Sequence, residues 1–445
     1  MRGSMVLLFL LVLLAPAGLL LAQEEPATID TGDTAWMIAA SALVLLMTPG
    51  LAFFYGGLVR RKNMLSVLMQ CLMSMCLMTL LWVIVGYSIA FGESQNGLFG
   101  DPRTYLFLKD VGMEPSGTIP HVLFMIFQCM FAIITPALIL GAFAERLRFG
   151  PFCVFISLWL LLVYCPVAHW AWGGGFFSAG EADNWLMSAG SGALDFAGGT
   201  VVHINAGIAA LAAVFVLGKR QGYPDKISPP HHLPFAVLGA ALLWFGWFGF
   251  NAGSELAADG VAANAFVVTH VATAAAAFTW AVIDWLVNRK PTVLGIITGA
   301  VAGLVAITPA CGFVTPMSSI AIGIGGAACA YLAVAWIKPA FGYDDSLDVF
   351  GVHGIAGIWG AIATGLWATQ KITGTDGASG LFYGNPAQVW VQIKAVLVTI
   401  VWSFVVSLIL WKVIDAVLGL RATERDERVG LDLTEHAEAA YTIVD

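Results

Sequence analysis

Apolar runs of about 20 residues recur along the whole of this 445-residue chain, and no other feature narrows the choice of fold so far. At roughly 1.5 Å per residue, one such run crosses the hydrocarbon core of a bilayer as a helix. A membrane β-barrel would instead alternate apolar and polar residues over short strands. Composition excludes a soluble domain: 59% of the residues are hydrophobic and 11% charged, with a mean hydropathy of +0.85. The pattern predicts an all-α polytopic membrane protein, multi-pass and surrounded by lipid. The net charge of −8 adds little, because charge in such a chain collects in loops.

Eleven spans fit the runs, at about 36–58, 64–91, 120–143, 151–170, 196–217, 234–253, 263–287, 292–308, 317–338, 349–369 and 390–417. Lys and Arg gather in the loops of one side: "RRK" at 60–62, "ERLR" at 145–148, "GKRQGYPDK" at 218–226, "NRK" at 288–290, Lys338, and Arg421, Arg425 and Arg428 of the tail. Loops of the other side hold Arg103, Lys109 and Lys371. Positive loops stay in the cytoplasm, so the N-terminus is expected outside and the C-terminus inside. The leader "MRGSMVLLFLLVLLAPAGLLLA" reads as a secretory signal peptide, residues 1–22, which agrees with that orientation. The expected order is therefore the signal peptide, an extracytoplasmic stretch 23–35, a membrane domain 36–417 and a cytoplasmic tail 418–445.

Two histidines sit inside apolar spans in the same local pattern, H-x-x-A-G-I: His203 in "TVVHINAGIAAL" and His353 in "DVFGVHGIAGIWG". They fall on the fifth and tenth spans, which run in opposite directions. That arrangement suggests inverted five-helix repeats plus a last helix, with the functional site between the halves. Buried imidazoles favour the neutral form, and two in contact share a proton, one donating and one accepting. Such a pair lays an uncharged hydrogen-bonding stripe through an apolar lumen, suited to a small polar solute or a proton relay. The plainer alternative is a pair of structural histidines bonded to helix backbone.

Aromatic residues cluster near span ends. "FMIFQCMFAIIT" (124–135) sets Phe127 and Phe131 four apart on one face. "AHWAWGGG" (168–175) carries Trp172, and "GWFGFNAGS" (246–254) carries Trp247, Phe250 and Ser254. Aromatic faces attract small cations and a hydroxyl accepts a hydrogen bond from one; an interfacial aromatic belt is the alternative. Asp195 and Asp348 open the two histidine spans and are placed to cap them, with Asp195 also a candidate for attracting a cation. The seven cysteines all lie in apolar segments without a C-x-x-C pair and read as packing residues. No H-E-x-x-H occurs, and acids are nearly absent from the spans, so no metal site is expected. A single "NPA" at 385–387 has no second copy and is set aside as a water-channel signal. The nucleophile, metal set and paired carboxylates of an intramembrane enzyme are also missing.

Taken together, "DFAGGTVVHINAGIAALAA", "GWFGFNAGS", "TPACGFV", "DVFGVHGIAGI", "FYGGLVRRKN" and "GLDLTEHAEAAY" resemble the ammonium transporter family, bacterial Amt type, from about residue 33 to the C-terminus. The resemblance implies a homotrimer in the inner (cytoplasmic) membrane, one pore per protomer, and ammonium or ammonia as cargo. By motif, Trp172, Phe131, Ser254 and Asp195 resemble the family's cation recruitment site, and Phe131 and Phe250 its gate. His203 and His353 resemble the paired pore histidines. Trp247 resembles a pore-lining tryptophan and Thr308 a polar group near the lumen. The tail resembles one that crosses to a neighbouring protomer, on a face where PII-type signal proteins bind. No cofactor and no nucleic acid are implied. The competing expectation is an ammonium sensor acting through a PII-type partner, although the tail is too short for an appended signalling domain.

Overall fold

The computed structural model describes residues 28–178, 192–374 and 379–441. The signal peptide expected at 1–22 lies outside the described residues. Eleven apolar helices follow in order: α1 Thr31–Leu58, α2 Arg61–Phe91, α3 His121–Phe143, α4 Phe149–Trp172, α5 Gly199–Leu217, α6 Leu233–Glu255, α7 Gly260–Asn288, α8 Val293–Ile307, α9 Pro316–Phe341, α10 Phe350–Trp367 and α11 Ala387–Leu418. Ten are long and apolar enough to cross a membrane. The other, α8, has 15 residues and so rises about 22 Å. Helix bounds fall within a few residues of those expected from hydropathy alone.

Local chemistry starts these helices. The Asp30 carboxylate accepts from the backbone N–H of Gly32 (2.7 Å) and Asp33 (2.9 Å) at α1, and Asp259 does the same for Val261 and Ala262 at α7, both at 2.9 Å. The Thr292 hydroxyl accepts from Gly295 at α8 (2.9 Å). Each satisfies N–H groups that a helix start leaves without partners. Among the described residues the strands form two short hairpins, Ser94–Gln95 with Phe99–Gly100 and Pro115–Ser116 with Ile119–Pro120, both between α2 and α3.

The helices α3 and α5 are the most enclosed, while α2 and α11 lie at the periphery. α1 runs along α6, α7 packs on α8 and α9, and α5 packs on α3 and α11. Large apolar side chains point outward, including Leu80, Phe278, Trp285, Val401 and Val413. That outward apolar face suits hydrocarbon rather than water. Five helices contain a widened π turn, and two of these turns, Gly199–Ile204 and Phe350–Ile355, open the histidine helices α5 and α10.

At one end of the bundle the loops are tied by buried charge. Arg60 pairs with Glu145 (3.0 Å), Arg220 with Asp344 (2.7 Å) and Lys338 with Asp348 (2.6 Å). The Arg146 guanidinium, fully buried, donates to the Ser346 hydroxyl and the Asp344 carbonyl, both at 2.6 Å. Burial alone would raise the Asp344 carboxyl, but the Arg220 guanidinium on it outweighs that and holds it below its ordinary value. Its neighbour Asp345, buried and without such a partner, is pushed up to about 6. Asp348, expected to cap α10, does not do so. Asp348 adopts a left-handed backbone (φ 60°) that turns its carboxylate to Lys338, and Asp345 Oδ2 accepts from the Phe350 N–H instead (2.7 Å).

The tail folds back on this same end as α12 Glu424–Val429 and α13 Leu431–His436. Asn63 Oδ1 accepts from Leu431 N–H (2.9 Å), Asp432 Oδ1 from Ser66 N–H (2.8 Å), and Glu435 Oε2 from Phe149 N–H (2.9 Å). The tail is thus anchored on the starts of α2 and α4 of its own chain.

Candidate functional site

The repeated H-x-x-A-G-I pattern marks the place where α5 and α10 cross. A Cβ on Gly207 would lie 2.3 Å from Gly354 N and 2.4 Å from its Cα, and a Cβ on Gly357 would lie 3.2 Å from His203 Cβ. The glycine of each motif therefore meets the partner helix near its histidine; at Gly207 only a missing Cβ permits that approach, and at Gly357 an added Cβ would be tightly crowded. The π turns add the second requirement, since a widened turn re-aims the side chain it carries. His203 and His353 consequently stack, with ring centroids 5.4 Å apart and planes inclined at 16°. Their Nδ1 atoms are 3.3 Å apart. One Nδ1 must donate and the other accept, so the two neutral rings take opposite tautomers. Both are almost wholly buried, and His203 Nε2 has no hydrogen-bond partner among the described residues. Gly207→Ala is expected to force the helices apart and break the Nδ1 contact, with activity lost and folded protein reduced; wild-type activity in that variant would show that the crossing tolerates a Cβ.

From the histidines a line of rings leads to one end of the bundle. Trp247 stacks on His203 at 5.3 Å and 18°. Its Nε1 donates to the Thr308 hydroxyl (2.9 Å), which itself donates to the Leu304 carbonyl (2.7 Å). Thr308 is fully buried behind Trp247 and orients it rather than facing the open space. Phe250 lies 6.0 Å from His203 and 4.3 Å from Phe131, and Phe131 meets Trp172 edge-on at 5.8 Å.

Three cavities lie along this line. A vestibule of about 200 Å³ is lined by Phe131, Trp172 and Ser254 together with Phe91, Phe124, Gln128, Phe196 and Leu256. The Phe131–Phe250 pair closes it below. A narrow cavity of about 10 Å³ follows, scarcely one water wide, lined by apolar side chains and by His203, His353, Trp247 and Phe250. His353 also lines a second vestibule of about 340 Å³ at the other end, where Arg220, Asp284 and Asp348 stand. Trp172, Phe131 and Ser254 are thus brought together, as are Phe250, Trp247 and the two histidines.

Asp195 stands apart from that set. Its carboxylate turns inward to the start of α5, accepting from the N–H groups of Gly198 (2.9 Å), Gly199 (2.5 Å), Thr200 (2.8 Å) and Val201 (3.2 Å) and from the Thr200 hydroxyl. It does not line the vestibule. Its link to the site is its backbone carbonyl, which accepts from Trp172 Nε1 (2.8 Å). Sequence reasoning missed Gln128, whose signal was a lone amide within "FMIFQCMF"; it missed the cap by Asp345 and the π turns, which leave no compositional mark.

Among the described residues no group of His, Cys, Asp and Glu is arranged to hold a metal ion. The family model described as Ammonium Transporter Family matches residues 35–441. The ammonium transporter of Bacillus subtilis (strain 168) is 52% identical over 413 residues, covering 92% of this chain and 98% of that protein. The crystal structure of Saccharomyces cerevisiae Mep2 aligns with a TM-score of 0.80 at 35% identity, over 89% of each chain. A solved structure described as a Sensor Amt Protein aligns with a TM-score of 0.81 at 30% identity, over 91% of this chain and 98% of that one. With a family match over nearly all of its described length, this chain belongs to the ammonium transporter family.

Proposed function

We propose that the chain moves ammonium across the cytoplasmic (inner) membrane, as a transporter and not as an enzyme. The observation that carries this reading is the sequence of spaces: an aromatic vestibule, a closed phenyl pair, and a dry passage whose polar groups are two imidazoles. Trp172, Phe131 and Ser254 cradle the cation, through ring faces and a hydroxyl oxygen. Phe131 and Phe250 gate the way down. Carrying a charge through the dry centre costs several kcal/mol or more. A cation that gives up a proton avoids that cost, and neutral ammonia then passes His203 and His353. The shared Nδ1–H offers the released proton its own route. Potassium has no proton to release and stays out.

All eleven helices span the membrane in this reading, α8 included. The N-terminus faces outward and the tail lies inside, because the loops rich in Lys and Arg sit with the tail. The reciprocal approach of Gly207 and Gly357 fits two inverted five-helix halves with α11 outside the repeat. Residues 1–22 act as a cleaved leader, the protomers form a homotrimer, and a PII-type protein binds the cytoplasmic face near the tail.

A second reading, an ammonium sensor signalling through such a partner, is favoured by the likeness to the Sensor Amt Protein and by a tail anchored directly on α2 and α4. Purified protein in proteoliposomes separates the two. An ammonium jump is expected to give a current that potassium does not. Absence of current together with an unchanged internal pH would favour the sensor.

A further inference from the structure

The helix α3 carries a single amide side chain, Gln128, in a run that is otherwise almost wholly apolar. It is nine-tenths buried, and neither end of its amide has a hydrogen-bond partner among the described residues. It lies four residues after Phe124 and three before Phe131, so the three share a face. All three line the 200 Å³ vestibule. Elsewhere on the same helix the Thr135 hydroxyl is satisfied locally by the Phe131 carbonyl (2.6 Å), and Gln128 has no such outlet. Its amide is instead reached from the vestibule it lines, so both ends are left for a solute in that space.

The other polar group of the vestibule is Ser254. Its hydroxyl donates to the Phe250 carbonyl (2.8 Å), so its oxygen is left to accept. The remaining lining residues are aromatic or aliphatic, with no charged side chain among them. An amide turns either end to a ligand, and toward a cation it turns its oxygen. Ammonium has four N–H donors and no acceptor. Ser254 Oγ takes one donor, and the rings of Phe131 and Trp172 face others. We infer that Gln128 Oε1 accepts a further hydrogen bond from the cation, and that this contact separates ammonium from its methylated analogues. The inference rests on the ammonium reading above. Methylammonium exchanges one donor for a methyl group, and in this vestibule the methyl must then displace an oxygen contact or crowd a ring. With Gln128 replaced by an apolar side chain, the methyl gains an apolar neighbour while ammonium loses an acceptor.

The test compares half-saturating concentrations of ammonium and methylammonium in proteoliposomes made from wild type and from Gln128→Leu. Leucine is expected to raise the ammonium value about 5–10-fold, the scale of one partly hydrated hydrogen bond to a charged group. It is expected to lower the ratio of the methylammonium to the ammonium value at least about 3-fold. That ratio does not depend on how much protein has folded. Gln128→Asn, which withdraws the oxygen by one methylene, covers a leucine variant that fails to fold, and its ratio must fall in the same direction. An active variant whose ratio matches wild type overturns the role of Gln128 and leaves the transport reading intact. A wild type without any ammonium-dependent current or pH change overturns both.

Discussion

His203→Ala combined with His353→Ala is expected to abolish the separation of ammonium from potassium. In the wild type the two rings fill the narrowest part of the path and leave about 10 Å³ between them and apolar walls. Nothing there replaces the water around an alkali cation, so its entry carries a barrier of several kcal/mol. Removing both imidazoles opens a void continuous with the 340 Å³ vestibule, because His353 lines both spaces. Water fills that void and hydrates a cation in transit. The ammonium-to-potassium permeability ratio should then fall by about 100-fold or more, which corresponds to roughly 3 kcal/mol of lost barrier. The double variant also lacks the Nδ1–Nδ1 contact, so under the proposed mechanism its current should lose the preference for a cation that can release a proton. Currents from concentration jumps of each ion check both points. Potassium exclusion and ammonium current equal to wild type would remove the histidines from the mechanism.

Much of this arrangement was legible in the sequence because the membrane writes its constraint directly into hydropathy. Helix positions follow from the length of apolar runs, and α8 emerged at 293–307 where 292–308 was expected. The histidine pair was legible because an ionisable group in an apolar span is rare enough to carry meaning, and the shared H-x-x-A-G-I pattern records the glycine crossing that brings the rings together. Less visible were effects of backbone path. Asp348 and Asp345 stand three residues apart before the same helix, and only the left-handed turn at Asp348 decides which of them reaches Phe350 N–H. Thr308 reads as a polar group near the lumen by motif, and its place behind Trp247, holding the indole, is set by how α8 packs on α6. Gln128 went unremarked because a lone Gln between phenylalanines has no partner in sequence; only the cavity around it gives it a role.

Asp195→Ala is expected to cost about 3–5 kcal/mol, the scale for removing one side of a buried charge-assisted network. Four backbone N–H groups and one hydroxyl converge on that buried carboxylate. The damage would not stay local. Gly198 holds a left-handed backbone at φ 109° and leads directly into the π turn that aims His203. The Asp195 carbonyl also holds the Trp172 indole, so one residue steadies both the vestibule and the histidine. A melting temperature lower by several degrees or more is expected, with loss of transport in whatever protein remains folded. Asp195→Asn distinguishes this role from direct attraction of the cation. An amide keeps one oxygen for two of the N–H groups but turns an NH2 toward the others, setting donor against donor. The asparagine variant should therefore melt well below wild type, between it and the alanine variant. An asparagine variant that melts like wild type yet needs far more ammonium for half-maximal current would assign the carboxylate to the cation rather than to the helix.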